Sequence, residues 1–356
     1  MRTRIAGDVL RFIRRYSKKR APEPIFNTLA MRVFHFQFRN NGFYRRFCEM
    51  EGATPEVLKS WKCIPAMPAP AFKELRLIAF PSGKIKRTFK TSGTTFQRSR
   101  GASARRGMHH FETLSLYEAS ILPPFKKHVL QKGGFAFYFL MPPAFEAPHS
   151  SLSHMMKVVN ARFSRGKGRY YVRKGQLQFK ALARDLKKER KKVLLMTTAF
   201  ALKSFLEYTE EKKLRFCLRA GSRLMETGGF KGRTREVPKT VLYRLCREWL
   251  GIDDFVGEYG MTELSSQYYS RKGGSFVPPA WMRTVVVDPQ NGNECQKGKV
   301  GILRHVDLAN LGSVMAVQTE DLGRAKGDGF EFMGRAKGSQ ARGCSLSYER
   351  FLKGFE

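Results

Sequence analysis

The chain has 356 residues, 42% hydrophobic and 12% aromatic, enough to bury a sizeable core and too apolar for a disordered tail. Its 66 Lys and Arg against 30 Asp and Glu give a net charge of +36, which favours anionic partners (nucleotides, nucleic acid, acidic carrier proteins, anionic lipid) without choosing among them. Cys48, Cys63, Cys217, Cys246, Cys295 and Cys344 stand singly, unlike a zinc site or a dense secreted disulfide framework, so a reducing cytoplasm is expected.

The opening stretch MRTRIAGDVLRFIRRYSKKR has no uninterrupted apolar core and no small-residue cleavage site, which speaks against a secretory signal. Ile5, Val9, Phe12, Ile13 and Tyr16 share one helical face. That stripe suits a helix docked on the rest of the protein, and also one lying on an anionic membrane surface. PIFNTLAMRVFHFQFRNNGFYRRFCEM predicts helix interrupted at NNG, and CIPAMPAPAF predicts an extended, irregular segment. FETLSLYEASILPPF reads as a helix ended by Pro123 and Pro124.

FAFYFL and KVLLMTT have the length and composition of buried strands, and no apolar run reaches the roughly 18 residues of a spanning helix. FKALARDLKKERKK and TVLYRLCREWL read as helices, so strands and helices alternate through the middle and predict an α/β fold. RTVVVD, GILRHVDL and SVMAVQTEDLG follow as β-rich units separated by glycine-containing turns. From Arg162 to Lys192 there are thirteen Lys or Arg and two acids. No nucleic-acid-binding motif accompanies that run, so a solvated face is expected and no specific nucleic-acid recognition.

KTSGTTFQRSRG, starting at Lys90, is rich in hydroxyls and glycine and carries three cations. Backbone N–H groups and hydroxyls in such a loop can surround phosphoryl oxygens, and nearby cations neutralise them. Taken alone, the same composition also makes a polar turn. Three downstream segments give it context: METGGFKGR, GEYGMTELSSQ and TEDLGRAKGDGFEFMGRAKG. In this order the four resemble the adenylate-forming enzymes, which activate carboxylic acids as acyl-AMP. SWKCIPAMPAPAFKELRL, HHFETLSLYEASILPPF, PHSSLSHMM, ETGGFKGR and GRAKGSQARGCSL narrow the likeness from residue 30 onward. They look like the acyl-protein synthetase family, the LuxE-type fatty-acid ligases of bacterial luminescence and their relatives.

The resemblance implies an α/β, acyl-CoA-synthetase-like large N-terminal domain with a truncated C-terminal subdomain. It divides the chain into a mainly helical region 1–90, a nucleotide- and acyl-binding core 91–318, and a segment 319–356 completing the nucleotide site. Thr91, Ser92, Gly93, Thr94 and Thr95 match the family's phosphate loop. Phe96 stands where a glycine is commoner, and Arg98 near the usual lysine, with Arg100 as another cation. Glu226, Thr227, Gly228 and Gly229 would form a wall of the nucleotide pocket, with Lys231 and Arg233 as anion contacts. Tyr259 and Gly260 would lie against adenine, Thr262 at the α-phosphate and Glu263 on Mg²⁺. Asp321 would accept hydrogen bonds from the ribose, assisted by Arg335. Lys337 is a further candidate cation, and Gly338 occupies the place of the superfamily's hinge aspartate.

The implied cofactors are ATP and Mg²⁺, and the implied substrate is a carboxylic, fatty acid. The acyl group would pass to a thiol: Cys344 with Arg342 nearby, an acyl carrier protein, an acyl reductase or coenzyme A. His109, His110 and His154 are candidates to line the acyl pocket, with ordinary structural roles as the default. Two other readings stay open on the sequence: an acyl-CoA ligase resembling the phenylacetate enzymes, and a weakly catalytic basic protein docking on nucleic acid or membrane.

Overall fold

The computed structural model describes residues 2–92, 105–131, 133–228, 237–271, 274–336 and 351. Two sheets organise them. The first is built from the apolar runs of the middle of the chain. Its strand order is Tyr268–Arg271, Asp254–Tyr259, Arg223–Thr227, Lys192–Thr198, Phe135–Leu140 and Arg169–Tyr170, with only the first pair antiparallel. Leu194, Leu195 and Met196 are fully buried because helices cover both faces, the condition under which parallel strands lose polar alternation. Helices Phe179–Lys188, Ala199–Glu211 and Lys239–Leu250 seal one face through Leu182, Leu202, Phe205 and Leu250. Helices Ser115–Phe125 and Ser151–Ser164 seal the other through Ile121, Phe125, Met156 and Val159.

The second sheet pairs Met67–Pro68 in parallel with Ala316–Lys326, which also pairs antiparallel with Val300–Asp307 and Gly329–Arg335; Met282–Val287 closes the far edge. The N-terminal helices Arg2–Arg15, Glu23–Asn40 and Gly42–Met50 share its hydrophobic core. Ile5, Val9, Phe12 and Ile13 are buried there, so the amphipathic stripe is docked on the protein itself. The break at NNG is a capping event. Asn41 ends one helix and its side chain accepts from the Tyr44 N–H at 3.1 Å to start the next.

Two sequence expectations are corrected. Pro123 and Pro124 do not end their helix. It runs through both to Phe125 and continues as a wider turn over Lys126–Leu130, closed by Gln131 N–H to the Lys126 carbonyl at 3.0 Å. Proline's fixed φ suits a helix; what it lacks is the N–H donor. Burial of Ile121 and Phe125 holds the segment, and the Lys126 N–H picks up the Leu122 and Pro123 carbonyls. CIPAMPAPAF is also more regular than expected. Met67–Pro68 is a strand of the second sheet and Ala71–Glu74 a short helix, because Met67, Ala71 and Phe72 are pulled into the core.

In the basic run, Arg173, Lys174, Lys180, Arg184, Lys187 and Lys188 are exposed, a solvated face. Among the described residues, no helix is long and apolar enough to cross a membrane, and Cys48, Cys63, Cys217, Cys246 and Cys295 are free thiols.

Candidate active site

The phosphate-loop candidate springs from a hairpin. Strands Arg87–Lys90 and Met108–Phe111 pair antiparallel, placing Phe89 opposite His109. Thr91 closes the hairpin: its N–H donates to the Gly107 carbonyl and its Oγ1 accepts from the Gly107 N–H, both at 2.9 Å. Arg106 donates from Nε to the Thr91 carbonyl. A Cβ placed on Gly107 would lie 3.0 Å from Thr91 Cγ2 and 3.5 Å from Glu263 Oε1. The base of the loop therefore abuts Glu263, a residue far away in sequence. Ser92 is exposed at the loop's entrance. Gly93, Thr94, Thr95, Phe96, Arg98 and Arg100 lie outside the described residues.

Glu226, Thr227, Tyr259 and the loop to Glu263 sit at the carboxyl ends of adjacent parallel strands, where ligands of open α/β sheets gather. Arg223–Thr227 brings Glu226 and Thr227; Asp254–Tyr259 brings Tyr259 and then Gly260 to Glu263. Glu226 is 1% exposed, accepting from Lys239 Nζ and from the Tyr243 hydroxyl at 3.2 Å, while its Oε2 is buried without a partner among the described residues. Thr227 donates its hydroxyl to the buried Glu258 carboxylate. Gly228 takes a φ of +71°, which favours glycine. A Cβ on Gly260 would come within 2.6 Å of Glu258 Oε1, so no larger residue fits unless that carboxylate moves.

Tyr259, Asp321 and Arg335 are brought together. The Tyr259 hydroxyl donates to Asp321 Oδ2 at 2.8 Å, and Arg335 Nε donates to Oδ1 at 3.1 Å. The register explains the second contact, because Asp321 and Arg335 are paired residues of neighbouring strands. The Tyr259 ring is almost buried against Phe276, Phe330, Phe332 and His305. Burial pushes its phenol well above the ordinary value, with Asp321 acting in the same direction, and pushes His305 down to about 3, so both are neutral near pH 7.

Thr262 is half-buried, and its carbonyl accepts from His109 Nδ1 at 2.9 Å; burial lowers His109 to about 4. Glu263 is 7% exposed, and among the described residues no Lys or Arg forms an ion pair with it. Burial raises its carboxyl to about 7; Arg335 and Lys73 pull it down and Asp321 pushes it up by smaller amounts. The loop that carries Glu263 leaves its strand at Tyr259, whose hydroxyl bonds Asp321.

Gly229, Lys231, Arg233, Lys337, Gly338, Arg342 and Cys344 lie outside the described residues. His110 bonds Thr88 through Nδ1 at 2.8 Å, and His154 bonds Glu118 through Nε2 at 2.9 Å. Sequence reasoning passed over His305, beside Tyr259, and over Asp307 and Asn310, which contact the Glu263 segment. A faint signal existed: these are polar side chains inside the apolar run GILRHVDLANLGSVMAV.

The profile of the family described as "Acyl-protein synthetase, LuxE" matches residues 15–352. A long-chain-fatty-acid–luciferin-component ligase of Vibrio harveyi is 19% identical over 302 residues, covering 83% of this chain and 78% of that protein. Among solved structures, 2-hydroxyisobutyryl-CoA ligase in its postadenylation state with 2-HIB-AMP superposes with a TM-score of 0.67 at 15% identity, covering 89% of this chain and 69% of that one. An open conformation of that ligase with 2-HIB-AMP and CoA gives 0.64 at 14% identity, covering 87% and 69%. The fold is that of the adenylate-forming ligases, and with nearly its whole length matched the chain belongs to the LuxE acyl-protein synthetase family.

Proposed function

We propose that this protein is an acid–thiol ligase: it activates a fatty acid with ATP as acyl-adenylate and passes the acyl group to a thiol. The observation that carries the reading is the meeting of Glu263 with the Thr91–Gly107 base of the hydroxyl-rich loop, beside Tyr259, Asp321 and Arg335. Family membership supplies the reaction class, and the Vibrio harveyi relative supplies the fatty acid.

The donor set fits ATP with Mg²⁺. Glu263 is a buried, hard-oxygen donor without a paired cation among the described residues, the situation a bound divalent ion corrects. When bound, Mg²⁺ neutralises phosphate charge. Asp321 is held on one side of each oxygen by Tyr259 and Arg335, leaving acceptor capacity for ribose hydroxyls. Thr91 and the loop it opens would contact the β- and γ-phosphates, and Thr262 the α-phosphate. Tyr259 and Gly260 would bound the adenine pocket with Glu226, Thr227, Gly228 and Gly229. Arg98 and Lys231 are proposed to steady the charge developing in the transition state.

Two anions must meet in line. A carboxylate oxygen attacks the α-phosphorus, the bond to pyrophosphate breaks, and acyl-AMP remains. A thiolate then attacks the acyl carbon and AMP leaves. Cys344, a carrier-protein thiol and coenzyme A are the candidate acceptors, with an acyl reductase as a downstream partner. In this reading region 1–90 packs on the core 91–318, 319–356 completes the nucleotide site, and the chain acts in the cytoplasm.

Incubation with ATP, Mg²⁺ and a panel of carboxylic acids, followed by mass spectrometry, is expected to reveal AMP and an acyl-adenylate. Absence of both with every acid, from folded protein, would reject the reading. Loss of a labelled acyl group from the protein in Cys344→Ala would identify self-acylation; unchanged labelling would remove Cys344 as acceptor.

A further inference from the structure

Thr262 and Glu263 lie in the loop that leaves the Asp254–Tyr259 strand and returns as its antiparallel partner Tyr268–Arg271. Loops normally give their backbone groups to water. This one is gripped by side chains from elsewhere. Asn310 Nδ2 donates to the Glu263 carbonyl at 2.7 Å, and the Ser120 hydroxyl donates to the Ser265 carbonyl at 2.6 Å. Asp307 Oδ2 accepts from the N–H groups of Ser265 at 3.0 Å and Ser266 at 2.9 Å, while Oδ1 accepts from the Ser266 hydroxyl and the Ala309 N–H, both at 2.9 Å.

Asp307 and Asn310 belong to one buried turn between strands Val300–Asp307 and Ala316–Lys326, and are 0% and 1% exposed. That turn is held in its own right by Gln37 of the N-terminal helix Glu23–Asn40. Gln37 Nε2 donates to the carbonyls of Asn310 at 2.8 Å and Leu311 at 3.3 Å, and its Oε1 accepts from the Met315 N–H at 3.0 Å. Gln37 is fully buried and directs all three of these bonds to the turn.

Among the described residues no other side chain hydrogen-bonds the Glu263 carboxylate, so its position depends on the backbone beneath it. That backbone is set by Asn310 and Asp307, and theirs by Gln37. Apart from Asn310 Oδ1 and Ser265 Oγ, which have no hydrogen-bond partner among the described residues, this buried polar network is paired, and it fixes one geometry at the cost of desolvation, which apolar residues would avoid. We propose that Gln37, Asp307 and Asn310 are positioning residues that hold the Glu263 carboxylate where the nucleotide's phosphates and metal are bound. The N-terminal helices thereby belong to the working site. This rests on the function proposed above.

The test compares Asn310→Ala and Gln37→Met with Ser313→Ala. Ser313 donates to the Leu77 carbonyl at 2.7 Å from the same turn, and among the described residues its hydroxyl forms no hydrogen bond to the loop. Gln37→Met preserves side-chain volume and gives a second reading if Asn310→Ala does not fold. Amide hydrogen exchange of residues 261–267 in nucleotide-free protein is expected to accelerate in the first two variants and stay at wild type in Ser313→Ala. In acid-dependent pyrophosphate exchange, the first two should need more Mg²⁺ and lose on the order of 10-fold in kcat, with KM for the acid unchanged. Wild-type hydrogen exchange and Mg²⁺ requirement in Asn310→Ala and Gln37→Met would overturn the proposal. An equal shift in all three variants would also overturn it, since it would report turn stability alone. If wild-type protein shows no acid-dependent exchange, the ligase reading fails, and hydrogen exchange still decides whether the clamp exists.

Discussion

Glu263 carries the sharpest consequences of burial. Its carboxyl is raised from an ordinary 4.5 to about 7 because water is excluded around it. An acid raised on folding binds more protons when folded, so stability falls as pH rises between those two values. Glu263→Gln removes that cost. We predict thermal melts equal near pH 4 and a variant more stable by on the order of 2 kcal/mol near pH 8. Activity should be abolished in the same variant. In wild type, the Mg²⁺ needed for half-maximal activity should rise as pH falls through about 7, because the protonated carboxyl is no ligand. For Asp321→Ala, which deletes the acceptor shared by Tyr259 and Arg335, KM for ATP should rise on the order of 10-fold with stability little changed; unaltered steady-state kinetics would contradict that assignment. The motif residues were legible because each lies within a short, ordered segment. Their supports were not: His109, His305, Asp307, Asn310 and Gln37 act across long sequence separations, and a polar residue in an apolar run does not announce its partner.

Most elements followed from periodicity, since the apolar strands and amphipathic helices of the middle each bury a full face. The departures have local causes. Pro123 and Pro124 were read as a stop, but the packing of Ile121 and Phe125 outweighs the lost donors. An interior proline costs about 3 kcal/mol and returns about 1 by restricting the unfolded chain. Pro123→Ala is therefore predicted to stabilise by about 2 kcal/mol, read as a higher Tm. Asn41→Ala should destabilise by about 1 kcal/mol in urea titration, through loss of the cap on Gly42–Met50. The parallel pairing of Met67–Pro68 with Ala316–Lys326 could not be read from pattern, because two residues carry no period.

Two open clefts, of about 480 and 400 Å³, lie against the N-terminal helices: Arg4, Arg11, Arg32 and His35 line the first together with Asp8, and Arg2, Arg39 and Lys84 the second together with Phe36 and Phe80. The apolar stripe of the first helix is used in the core, so the face left for an anionic membrane is mainly Arg4, Arg11, Arg14 and Arg15. Binding to a generic polyanion should weaken steeply between low and moderate salt, with no sequence preference, as counterion release dictates. Such binding would reflect charge, whereas the ligase reading depends on residues from distant parts of the chain meeting at one site. The most direct test is exchange of labelled pyrophosphate into ATP. Label should enter ATP only when a fatty acid and Mg²⁺ are both present, and the exchange should be lost in Glu263→Gln. Folded protein that binds no ATP and exchanges with no carboxylic acid would contradict it.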